Sequence, residues 1–183
     1  MKQNTEDRII QAALEALAMN PRGSLDEIAE AAGVGRATLY RHFESRETLM
    51  KVLFHDVSVK LDAAIIPIFE NNCLTAESKL SKLVHVLVPF GARIHFAALV
   101  SSTGNDPEMQ VGYKKHLVRL DNLCQQLKDQ HFVTPEISTA WLVTSLDGLI
   151  FTAWKNIYSG DIASKDAPGL VLRTFLSGVG MNK

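Results

Sequence analysis

Two cysteines, six prolines and a net charge of -1 over 183 residues exclude several common designs at once. Cys73 and Cys124 are too few for a disulfide framework, and free thiols fit a reducing compartment. A chain of this length buries roughly 70% of its unfolded surface and needs no staple. The first residues, MKQNTEDRII, have no apolar core behind the leading base, so no secretory leader is expected and a cytoplasmic location follows. No membrane partner is expected either. The longest candidate span, residues 137–154, carries Asp147 with two serines and three threonines, and reads as a buried helix. Repeats, low-complexity tracts and strand-like alternation are missing. So are a glycine-rich phosphate loop, a nucleophile elbow and the close His/Cys/Glu spacing of a metal site, since His85, His95 and His116 stand far apart. No cofactor or metal is called for, and an enzyme is the weakest class. The lack of a basic excess argues, as a total, against nucleic acid.

What is present is helical periodicity. Apolar residues recur at three- and four-residue spacing in Ile9, Ile10, Ala13, Leu14, Leu17, in Leu49, Leu53, Phe54, Val57, Leu61, and in Leu117, Leu120, Leu123, Cys124, Leu127. Breakers stand between the runs: Asn20 to Gly23, Gly33, Asn71-Asn72, Ser101 to Pro107, Thr134-Pro135 and Ser159-Gly160. The pattern predicts an all-α chain of about nine helices, near 5–19, 25–32, 36–43, 46–70 with a possible break at Pro67, 75–89, 91–100, 107–130, 135–158 and 167–178. Short helices crowd the first fifty residues and long ones follow. Two parts are expected, residues 1–48 and residues 49–183.

The informative stretch is Ser24 to Arg46, SLDEIAEAAGVGRATLYRHFESR. Ser24 and Glu27 have the spacing of a capping box, which starts a helix at Leu25. Gly33 ends it, because glycine takes the left-handed conformation without a Cβ penalty. A second helix from Arg36 buries Leu39 and Phe43, and Ala29 is small enough for the two to cross. Two short helices joined by such a turn form a helix-turn-helix. The second helix of that unit is narrow enough to enter the DNA major groove. Arg36 and Arg41 suit guanine, Ala37 and Thr38 suit a thymine methyl, and Tyr40, His42 and Arg46 suit phosphates. With Ser24, these residues form the expected DNA-binding set. Ser45 caps a further helix whose first amides can hold a phosphate, with Arg46 and Lys51 adding charge.

The stretch resembles the TetR family of bacterial transcriptional regulators, whose pattern is matched by Ala29, Ala32, Gly33, Val34, Thr38, Leu39, Tyr40, His42, Phe43, Ser45, Arg46 and Leu49. The likeness is strong over residues 5 to about 50, and beyond them rests on length and helical pattern. It implies that Thr38, Tyr40, His42 and Arg46 contact the DNA backbone, and that Arg36, Ala37 and Arg41 face bases. Gly35 departs from the family, which usually places a capping side chain there. The resemblance further implies a homodimer built on the last two long helices, a palindromic operator, and a small-molecule effector bound among the middle helices that releases DNA.

The remaining sequence agrees with that implication. Helix 135–158 carries Trp141, Leu142, Leu146, Leu149, Ile150, Ala153 and Ile157, more apolar surface than one protomer is expected to cover. Gly148 at its middle suggests close approach of another helix. For the effector, the expected lining is His95, Phe96, Tyr113, His116, Trp141, Asp147 and Phe151. Asp147 stands alone in an uncharged run, so if buried it needs Arg93, a His or a cationic ligand as partner. A DNA-binding protein of architectural or partner-controlled type, without an effector, is the alternative. The charge total also resolves by region. Residues 1–50 hold six bases against eight acids, or -2, yet residues 35–51 hold Arg36, Arg41, Arg46 and Lys51 against Glu44 and Glu47, a local +2. Modest non-specific affinity and reliance on geometry and base contacts follow.

Overall fold

The computed structural model describes residues 5–103 and 107–179; the middle of the expected break at Ser101 to Pro107 lies outside the described residues. Among these residues the chain forms nine α-helices: α1 Thr5–Met19, α2 Leu25–Ala31, α3 Arg36–His42, α4 Arg46–Phe69, α5 Ala76–Leu87, α6 Gly91–Thr103, α7 Pro107–Asp129, α8 Thr139–Ser159 and α9 Ala167–Val179. A 3-10 turn at Val88–Phe90 joins α5 to α6.

Side-chain caps explain most of the starts. Ser24, Ser45, Thr75 and Ser138 each accept a hydrogen bond from the backbone N–H three residues on. Left-handed residues explain two of the stops, Gly33 after α2 and Gly160 after α8. Helix α8 begins at Thr139 rather than residue 135, because Pro135 to Ile137 form a turn and Ser138 supplies the cap to Trp141. Pro67 does not break α4. It lies in the last turn, where its missing N–H removes a single late hydrogen bond.

Two apolar cores share α4. Its first half, Leu49, Leu53, Phe54 and Val57, packs with Ile9, Leu14, Leu17, Ile28, Leu39 and Phe43. Its second half, Leu61 and Ile65, packs with α5, α7, α8 and α9. Helix α6 crosses the boundary as well: Phe96, Ala97 and Val100 belong to the N-terminal core. The expected division after residue 48 thus falls inside a continuous α4, and an element distant in sequence completes the first core.

Within the protomer a close helix approach falls at Gly91, where a Cβ would collide with Trp154 and lie 3.0 Å from the Ile150 carbonyl oxygen; nothing among the described residues lies within 4 Å of a Cβ on Gly148. The most apolar span is also not residues 137–154 but Ala76–Val100, long and apolar enough to cross a membrane by composition. More than half of its most apolar window is buried in the fold, and the 3-10 turn with Pro89 interrupts it.

Candidate nucleic-acid interface and interior polar cluster

The capping box at Ser24 is complete: the Ser24 hydroxyl accepts from the Glu27 N–H at 3.2 Å, and the Glu27 carboxylate accepts from the Ser24 N–H at 2.5 Å. These bonds hold the Glu27 carboxyl below its ordinary pKa. Gly33, at φ 63°, turns the chain, and half-buried Val34 packs on the N-terminal core. Helix α3 then places Leu39 and Phe43 inward. Arg36, Ala37, Tyr40 and Arg41 are exposed on the outer side, with Thr38 and His42 half-buried beside them. Gly35 caps α3 without a side-chain bond, while Ser45 caps α4 on the Thr48 N–H at 3.1 Å.

Two members of the expected DNA-binding set are engaged within the protein. Arg46 donates to the carbonyls of Gly23 and, at 2.8 Å, Pro21, pinning the α1–α2 connection to the start of α4. Ser24 spends its hydroxyl on the cap. Arg36 pairs with Asp26, but its side chain is 70% exposed. An exposed pair of that kind is worth about 0–1 kcal/mol, so Arg36 remains free to turn to another anion. A clamp missed from the sequence is Arg8, which donates to the Ala32 carbonyl at 2.8 Å and ties α1 to the end of α2. Its only sequence signal is a basic residue directly before the core stripe.

The expected effector lining divides three ways. Phe96 is fully buried in the N-terminal core, and Trp141 is 64% exposed on α8; neither joins the others. His95 stacks on Phe151 at 3.8 Å between centroids, and Phe151 continues to Trp154 and Tyr158 in a stacked row. Burial lowers the His95 pKa. Tyr113 and Asp147 meet at 3.5 Å, with His116 tilted against Tyr113 at 6.5 Å. Burial raises the Tyr113 hydroxyl, assisted by the Asp147 carboxylate. Burial, and then Arg119, push His116 down to about 4, and neither ring nitrogen has a hydrogen-bond partner among the described residues. Burial also lifts Asp147 to about 7, and its Oδ1 meets no donor among them. Asp147 as a residue is half-buried, yet Oδ1 itself is shut off from solvent. Cys124 is buried with its thiol pushed up to about 12, which suits core packing and not redox sensing.

A family model described as bacterial regulatory proteins, tetR family, matches residues 9–53, the segment from α1 through the first third of α4. Over that segment the chain is similar to the TetR family. Among similar proteins, the transcriptional repressor LfrR of Mycolicibacterium smegmatis is 31% identical over 108 residues, 59% of this chain and 57% of that protein. The match thus spans little more than half of the relative. UidR, a transcriptional regulator of Escherichia coli K12, is 26% identical over 97% of this chain and 93% of its own length. In three dimensions the TetR-like fold extends over the whole chain. The crystal structure of LfrR in complex with proflavine aligns at a TM-score of 0.71 and 22% identity over 97% of both chains. The ketosteroid regulator KstR2 of Mycobacterium tuberculosis aligns at 0.70 and 16% identity, over 100% of this chain and 97% of that one.

Proposed function

We propose that the chain is a transcriptional repressor that binds a palindromic operator as a homodimer through α3 and is released by a small molecule held among α6, α7 and α8. The observation that carries the DNA reading is the outer side of α3, where Arg36, Ala37, Tyr40 and Arg41 stand exposed while Leu39 and Phe43 anchor the same helix in the core. Such a helix presents base-reading groups on a rigid mount. The N-terminal amides of α4, capped by Ser45, lie in sequence directly behind it and suit a phosphate. Arg46 acts here mainly as a positioning residue, through Gly23 and Pro21.

The effector reading draws on buried polar atoms that have no partner among the described residues, Asp147 Oδ1 and both ring nitrogens of His116. An architectural protein would have no use for them, and buried polar atoms without partners are costly. Crystalline LfrR holds proflavine, which supports a small molecule as the effector class. The route to DNA is short. His95 packs on Phe151 while its neighbours Phe96 and Ala97 are in the N-terminal core, and Tyr113 joins Asp147 to that same core. An effector that shifts α6 or Tyr113 therefore moves α1 and α4 relative to one another, and with two recognition helices ~34–36 Å apart a small tilt spoils the fit.

The test is retardation of a palindrome from the region upstream of the chain's own gene. Arg36→Ala with Tyr40→Ala is expected to abolish binding while helical circular dichroism stays unchanged. Binding that survives the double substitution would remove α3 from the interface.

A further inference from the structure

We infer that Asp147 is the charge-selecting group of the effector site, and that the effector is an organic cation with an aromatic or other apolar body. This rests on the reading of the C-terminal helices as an effector-binding unit. Among the described residues, Oδ2 of Asp147 meets only the Tyr113 hydroxyl, at 3.5 Å, the outer limit of a hydrogen bond. Oδ1 is buried with no donor among the described residues. Arg119 on α7 donates to Asp62 at 2.5 Å, and Arg93 on α6 donates to Gln11 while its guanidinium carbon lies 5.4 Å from the Phe90 ring centroid, its buried Nε being without a partner among the described residues. Among the described residues no cationic side chain meets the Asp147 carboxylate. That arrangement favours a carboxylate kept protonated, and burial does lift this group to about 7. An incoming cation would pair with it and restore the ionised form.

The surroundings narrow the chemistry. Phe151 lies one turn after Asp147 on the same face of α8, stacked with His95, and the Tyr113 hydroxyl reaches Asp147 from α7. Aromatic faces beside a carboxylate attract a cation and cover its apolar body. An anion would meet an unpaired carboxylate. A bare metal ion would find one carboxylate only, since no three His, Cys, Asp or Glu side chains converge among the described residues. His116 does not oppose a cation, because burial keeps its imidazole neutral.

The experiment titrates the full-length protein, without DNA, with ethidium and with the size-matched ions tetraphenylphosphonium and tetraphenylborate. At least one of the two cations is expected to bind and tetraphenylborate is not, and Asp147→Asn should weaken the cation by at least about thirtyfold. Asp147→Glu should retain part of the affinity, and both variants should keep the wild-type helical circular dichroism as the check on folding. Equal cation binding by wild type and Asp147→Asn would overturn the inference, as would failure of both cations or preference for tetraphenylborate. If tetraphenylborate releases the operator from wild type and Asp147→Asn alike, the cation assignment fails while the repressor reading stands. If the Arg36→Ala, Tyr40→Ala protein still binds the operator, the DNA reading fails instead.

Discussion

Asp147 and His116 occupy the same interior and load stability onto pH in opposite directions. Burial lifts the Asp147 carboxyl from its ordinary 3.8 to about 7, so between those values the folded chain keeps a proton that the unfolded chain has lost, and stability falls as pH rises. His116 goes the other way, from 6.5 down to about 4, so the unfolded chain holds the extra proton in that window and stability rises with pH. The wild-type profile below pH 6.5 is therefore expected to be flat. Asp147→Asn removes one slope: urea denaturation should show the variant gaining on wild type by on the order of 2–4 kcal/mol between pH 4 and pH 7. A difference independent of pH would mean that the folded carboxylate is solvated. A second residue-scale expectation concerns Asp26, whose pairing competes with DNA for Arg36. Asp26→Asn should tighten operator binding about two- to fivefold, the worth of an exposed ion pair; an unchanged or weakened affinity in the retardation assay would place Arg36 away from the DNA. Asp147 was legible in the sequence as a lone charge in an apolar run, and so was its need for a partner. The direction of Arg46 was not, because a long side chain beside a loop has carbonyls and phosphates equally within reach until the loop is placed.

Helices were the most legible level, since apolar spacing and capping residues are local. The start of α8 moved only because Pro135 and Ser138 both signal a helix start and Ser138 has the cap. Packing between elements was less legible. Nothing near Phe96, Ala97 or Val100 marks α6 as part of the N-terminal core, because a buried stripe does not say which partner buries it. Glycine illustrates the same limit: nothing in the sequence singles out Gly91 as a crossing point within the protomer. Gly91→Ala is accordingly expected to destabilise the fold by about 2 kcal/mol despite alanine's better helix propensity, because the added methyl meets Trp154 and the α8 backbone. Its thermal midpoint should drop and the environment of Trp154, read by fluorescence, should change; a midpoint at or above wild type would contradict the α6–α8 contact.

At the scale of the whole molecule, the low charge and the proposed two-fold assembly bear on each other. A protein of net charge -1 gains little from non-specific attraction, so on the proposed reading its operator affinity would come from two correctly spaced α3 helices. The outer face of α8 is where the assembly can be broken without touching DNA-facing residues. Trp141 is 64% exposed there, two turns before Gly148, and nothing among the described residues lies within 4 Å of a Cβ placed on Gly148. Gly148→Arg therefore has room in a single chain and replaces a poor helix former by a good one, so any loss it causes reports on the surface between copies. Sedimentation should show the variant as a monomer with unchanged helical content. Its operator affinity should fall by about 100-fold, because each half-site is then bound without the effective concentration that the partner provides. A variant that sediments as a dimer and retards the palindrome like wild type would place the two-fold contact on another face of the molecule.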